Sequence, residues 1–196
     1  MYSPKGTLHV IAGPMSCGKS EITIRELRRA EIARRSVLLL RPAIDVRTPP
    51  EVVRSRSGAV FPARTLADSS EIMPAVFLAG SDVVAIEEGE FWDDGIIAAV
   101  EALVAKHVTV IVNGLNQDFA GRPFGPMPAL MALADEVTVL SAICQVCGEP
   151  ASKTQRLRAD GSPARADEPL IVIGGLEEEA NADRYEARCR RHHIVA

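Results

Sequence analysis

The stretch GPMSCGKS, residues 13–20, follows the apolar run TLHVIA at 7–12. It fits the pattern G-x-x-x-x-G-K-[ST], which acquires its meaning only between a strand and a helix. Both are predicted: 7–12 reads as a β-strand and 19–34 as a helix. In that setting glycines let main-chain amides crowd round phosphate oxygens, and the helix start adds its positive end. Gly13, Pro14, Met15, Ser16, Cys17, Gly18, Lys19 and Ser20 are therefore the candidate nucleotide cradle. Lys19 is set to neutralise the β- and γ-phosphates, and the Ser20 hydroxyl to complete a magnesium shell. The plain alternative is a glycine-rich turn with an exposed lysine; the flanking elements weigh against it.

Outward from this loop, apolar runs at 36–40, 82–87, 107–112 and 136–140 read as further strands, with helices at 70–79, 92–105 and 126–133. The runs are continuous rather than alternating, as in strands covered on both faces. Such strand–helix alternation predicts an α/β fold: an open parallel sheet with helices on both faces. Residues 42–58, rich in proline and arginine, read as a mobile loop. After Leu140 the pattern changes to cysteines, a polar segment and a basic end. A boundary near Ser141 divides a core, 1–140, from a smaller unit, 141–196.

The chain has 196 residues, 47% of them hydrophobic, enough for one domain with a small appendage. Its net charge of −4 argues against general nucleic-acid binding and against a polybasic membrane surface. No apolar run approaches the roughly 18 residues needed to cross a bilayer, and no signal segment opens the chain. A soluble, cytoplasmic protein is expected, one in which a disulfide framework would be out of place.

Two clusters carry chemistry. VVAIEEGEF, 83–91, puts Glu87 and Glu88 at a strand's carboxyl end, where open α/β sheets bind their ligands. Neighbouring strand residues point to opposite faces, so the two carboxylates do different jobs, unless they form only a solvated acidic turn. CQVC at 144–147 and CRRH at 189–192 form two paired knuckles. Cys144, Cys147, Cys189 and His192 together give a closed Cys₃His set, best suited to a structural zinc ion. His193 is an alternative fourth ligand; spacing favours His192. Cys17, near a helix start, could have a lowered pKa, but its small size is the preferred reading.

In this order the landmarks resemble the type II (cellular-type) thymidine kinases, from Gly6 to His192. GPMSCGKS looks like that family's GPMFSGKS, and DVR at 45–47 like its D-x-R. EEGEF at 87–91 is similar to DE-x-QF, and GLNQDFAGRPFG at 114–125 to GLD-x-DF-x-x-x-PFG. CQVCGEPASKTQRL at 144–157, then IGG at 173–175 and YEARCRRHH at 185–193, complete the set.

The resemblance implies a RecA-like P-loop core and a zinc-binding lasso, about 150–175, that closes over a nucleoside, and the polar segment 155–168 reads as built for that mobility. It implies magnesium-dependent transfer of the γ-phosphate of ATP to the 5′-hydroxyl of thymidine. Carried over by position, Glu88 is the general base, Arg47 steadies the transferring phosphoryl group, and Asp45 shares its loop. Glu87 belongs to the nucleotide–metal site. Met15, Leu115, Thr154 and Tyr185 match positions round the thymine methyl group; Phe91, Phe119 and Phe124 match aromatic residues of the nucleoside site, and Ile173 a residue of the lasso. A homotetramer inhibited by thymidine triphosphate is also implied.

The chain departs from the pattern at Glu87 (Asp in the family), Glu90 (Gln), Asn116 (Asp) and Ser16–Cys17 (Phe-Ser). LEEEANADR at 176–184 is longer than the pattern expects. Two other readings stay open: a kinase preferring another nucleoside, and a non-catalytic nucleotide-binding regulator supported only by Glu87 and Glu90.

Overall fold

The computed structural model describes residues 6–45, 49, 51–170 and 183–196. Strands β1 (Leu8–Ala12) and β2 (Val37–Pro42) flank helix α1 (Lys19–Ile32). A short hairpin, β3 (Val52–Arg54) and β4 (Val60–Pro62), precedes β5 (Arg64–Leu66). Then come α2 (Ile72–Ala79), β6 (Val83–Ile86), α3 (Gly95–Ala105), β7 (Thr109–Gly114), α4 (Met127–Leu133) and β8 (Glu136–Val139).

Six strands form one parallel sheet in the order β5-β2-β6-β7-β1-β8. Parallel neighbours cannot be joined by a tight turn, so each connection must cross a face of the sheet. Side-chain alternation decides which face each residue serves. Ile11 on β1, Leu39 on β2, Ala85 on β6 and Ile111 on β7 point towards α1, where Ile24, Leu27 and Ala30 meet them. Their neighbours Val10, Leu40, Val84, Ile86, Val110 and Val112 point the other way, onto α2, α3 and α4. Strands β1, β2, β6 and β7 are thus covered on both sides, which is why they read as unbroken apolar runs; the edge strand β8, expected to be covered likewise, is mostly exposed because no strand among the described residues lies beyond it. Each fully buried Leu or Ile contributes roughly 2 kcal/mol, so an Asp at Leu27 or Val112 would break the layer it joins.

The sequence expectation of an open parallel sheet with helices on both faces holds. Helix limits follow local chemistry: α2 stops where Gly80 takes a left-handed conformation at φ 60° and its amide returns to Val76 and Phe77 carbonyls. Two expectations need correction. The segment 42–58, expected as a loop, contributes the β3 strand of a hairpin; Val53 and Phe61 turn inward onto the α1 layer. Its prolines and arginines masked that apolar pair. The polar stretch 155–168, expected to be mobile, begins inside a buried strand.

That strand is β11 (Lys153–Leu157), paired antiparallel with β12 (Arg184–Arg188); β9 (Ala142–Ile143) pairs with β10 (Pro150–Ala151). Arg156 sits buried because Asp183, Glu168 and the Pro169 carbonyl all receive its guanidinium. Among the described residues no helix is long and apolar enough to cross a membrane.

Candidate active site and metal centre

The carboxyl ends of β1, β2, β6 and β7 lie along one edge of the sheet, and the chemistry-bearing side chains follow them. Residues 13–18 leave β1 as a loop whose conformation only glycine tolerates at two points. A Cβ on Gly13 would lie 2.7 Å from the Leu140 carbonyl oxygen, and Gly18 caps α1 at φ 90°. The Lys19 ammonium donates to the carbonyls of Gly13 (3.1 Å) and Pro14 (2.9 Å). Its third contact is Cys17 Sγ at 3.8 Å, so the loop itself holds the ammonium at its mouth.

Ser20, in the first turn of α1, donates its hydroxyl to Glu87 Oε2 at 2.9 Å. Glu87 follows β6 and is 2% exposed; its other oxygen, Oε1, is buried and has no hydrogen-bond partner among the described residues. Burial foremost, then the charge of Glu88, pushes its carboxyl up to about 7, against hydrogen bonds from Asn113 and Ser20 and the charge of Lys19. A hydroxyl beside an unsatisfied carboxylate oxygen is a hard-oxygen pair that could hold magnesium.

Glu88 is half-buried and adopts a left-handed conformation at φ 50°, strained for a residue with a side chain. The Trp92 indole N–H donates to the Glu87 carbonyl at 3.0 Å and braces the start of that turn. Asp45, after β2, pairs with Arg41 at 3.3 Å; the fully buried Arg41 also donates to the Pro49 and Val52 carbonyls. Arg47 and Ile173 lie outside the described residues.

The described residues expected in the nucleoside pocket come from five segments. Phe91 and Phe124 meet edge to face, ring centroids 5.6 Å apart. Leu115 is buried, its amide donating to Glu90 Oε2 at 2.9 Å. Phe119 is buried under the guanidinium of Arg156, 5.2 Å from its ring. The Met15 amide donates to the buried Thr154 hydroxyl at 3.0 Å, tying the first loop to β11. Thr154, Arg156, Tyr185 and Ala187 share one face of the β11–β12 ribbon, since opposed residues project together. Arg41, Glu90 and Arg156 were missed as site residues. The one local signal for Arg41 was an arginine closing an apolar strand.

Cys144, Cys147, Cys189 and His192 bring their ligand atoms within 4.8 Å of one another. The Cys189 Sγ–His192 Nδ1 distance is 3.2 Å; Cys144 to His192 and Cys147 to Cys189 are each 3.8 Å. Thiolates about 2.3 Å from a tetrahedral ion stand roughly 3.8 Å apart, so the set could hold zinc with no open position. Burial opposes ionisation of Cys144, but amides of Cys189, Val146 and Cys147 and the His192 ring outweigh it and bring the thiol down to about 5. His193 is engaged elsewhere: its Nε2 meets the Phe119 carbonyl at 2.8 Å. That contact selects His192 as the fourth ligand.

A sequence model of the family described as thymidine kinase matches residues 6–193, nearly the whole chain. Among solved structures the chain is similar to the flagellar accessory protein FlaH from Methanocaldococcus jannaschii. The two share 14% identity with a TM-score of 0.50, over 75% of this chain and 76% of that one. At that identity the likeness speaks for the fold alone, a RecA-like P-loop sheet.

Proposed function

The chain belongs to the thymidine kinase family, and on that premise we propose that it transfers the γ-phosphate of ATP to the 5′-hydroxyl of thymidine. The observation that carries the reading is the convergence of Lys19, the Ser20–Glu87 pair and Glu88 on one sheet edge. Phosphoryl transfer passes through a loose, highly charged transition state, so positioning and electrostatics do most of the catalysis.

In this reading residues 13–20 bind the triphosphate, with Lys19 exchanging loop carbonyls for phosphate oxygens. Ser20 and Glu87 would hold magnesium, which would supply positive charge to offset that of the phosphates. Glu88 takes the proton of the sugar hydroxyl as general base. Arg47 and Asp45 act on the transferring group, and Arg41 keeps Asp45 and the start of that loop in place. Residues 1–140 form the kinase core and 141–196 a zinc-bearing unit over the nucleoside. The tie from Met15 to Thr154 supports such an arrangement, because it joins the phosphate loop to the strand that would face the base. Met15, Leu115, Thr154 and Tyr185 line the methyl side of the pocket, with Phe91, Phe119, Phe124 and Ile173 completing it. A cytoplasmic homotetramer inhibited by thymidine triphosphate belongs to the same reading.

Steady-state phosphorylation of thymidine, deoxyuridine and deoxycytidine tests it, with Lys19→Met as control. Thymidine should be preferred, and the variant should lose at least about a hundredfold in kcat/KM. A preference for another nucleoside would redirect the assignment. Rates no better than Lys19→Met on all three would leave a nucleotide-binding regulator.

A further inference from the structure

Glu90 has no role in the chemistry just described, and it occupies a poor place for a charge. It is 3% exposed, in the 3₁₀ turn after β6. Its Oε2 accepts the Leu115 amide at 2.9 Å, while Oε1 is buried and has no hydrogen-bond partner among the described residues. Main chain confines it: a Cβ on Gly114 would lie 2.5 Å from Oε2, and one on Gly125 would lie 2.3 Å from the Glu90 carbonyl oxygen. The charged groups facing it are Glu88 from its own turn and Lys19 from the phosphate loop. The segments packed against it from β7 and from the approach to α4 present Gly114, Leu115, Gly125 and Met127, none of them titratable.

We propose that Glu90 stands in the folded protein as a neutral carboxylic acid whose O–H donates to the carboxylate of Glu88, making it a positioning residue for that group. Its two oxygens then have distinct jobs. The carbonyl-type oxygen accepts from Leu115, and the hydroxyl gives the otherwise unreached oxygen a partner. Among the described residues, the carboxyls of Glu87, Glu88 and Glu90 share this corner with the ammonium of Lys19, and like charges at such range cannot all persist under burial. Burial, the charge of Glu88 and a hydrogen bond to it, in that order, hold the Glu90 carboxyl well above the usual range, with Lys19 pulling the other way. A neutral Glu90 fixes Glu88 through that hydrogen bond instead of repelling it. Deprotonation in alkali would replace that hydrogen bond by repulsion. A glutamine amide offers the same acceptor and donor at every pH.

The effect on turnover rests on the thymidine kinase reading; the proton itself does not, so the test has two arms. Difference infrared spectra of wild type against Glu90→Gln at about pH 8, where an ordinary glutamate is ionised, should show a protonated-carboxyl stretch belonging to wild type. In pH–rate profiles with thymidine, Glu90→Gln should hold kcat on the alkaline side where wild type falls. Glu90→Leu, checked by thermal melting, should lose about tenfold or more in kcat with little change in the KM for thymidine. Absence of the infrared band, or a Glu90→Leu variant that turns over like wild type, overturns the proposal. A wild-type protein inactive on every nucleoside would instead remove the kinase reading, and the infrared arm alone would then decide the state of Glu90.

Discussion

The Ser20 hydroxyl donates to Glu87 Oε2 across 2.9 Å, joining the first turn of α1 to the end of β6. Sixty-seven residues separate the two in sequence. Their meeting makes a binding corner from two elements that are adjacent only because β1 and β6 both border β7. The remaining oxygen of Glu87 is the unsatisfied part of that corner.

Stability should therefore depend on pH through Glu87. Its carboxyl rises from an ordinary 4.5 to about 7, so the folded protein favours the neutral form. The stabilisation is whole below about pH 4.5 and is lost as pH rises through about 7. Thermal melts from acid to neutral pH should fall more steeply for wild type than for Glu87→Gln. Adding magnesium with ATP should flatten the wild-type curve, because a bound cation favours the carboxylate. Parallel curves for the two proteins would refute this.

Glu88→Gln should still bind ATP and thymidine but turn over about 10² to 10⁴ times more slowly. Calorimetric titration and single-turnover rates separate the two effects. Undiminished turnover would mean that the proton leaves by another route.

The knuckle residues should carry about one zinc per chain, and its removal should unfold the segment they staple. A closed Cys₃His site contributes roughly 10 kcal/mol of folding free energy to such segments. Metal analysis and circular dichroism before and after chelation provide the check. Cys147→Ser should lose the metal, while His193→Ala should keep it. Equal loss in both would argue against His192 as ligand.

Asp45→Ala should destabilise the protein by about 3 kcal/mol, since it removes a counter-charge 3.3 Å from the buried Arg41. The double variant Arg41→Met/Asp45→Ala should recover part of that loss. Urea denaturation would show it; additive losses would mean that the pair carries no coupling.

Much of this architecture was legible beforehand. Residues 13–20 announced a strand, a turn and a helix because glycine φ values and an apolar run are local properties. The paired spacings at 144–147 and 189–192 were legible for the same reason, as each knuckle is a short turn. The β3–β4 hairpin was not, because Val53 and Phe61 become core only once α1 lies over them. Nor was Arg156, whose burial depends on Asp183 and Glu168 arriving from elsewhere in the chain.

The sequence by itself determined five of the six strands of the main sheet and its four helices, where a phosphate could be gripped, and that three cysteines with His192 or His193 could close on a metal. These follow from periodicity, glycine placement and ligand spacing, all set within a few residues. Only the tertiary structure decided that His193 serves Phe119 rather than the metal group, that Ser20 meets Glu87, and that Glu90 lies buried beside Glu88. Each is a contact between distant segments or a matter of burial, and the energy of a charge depends on what surrounds it rather than on what precedes it in the chain.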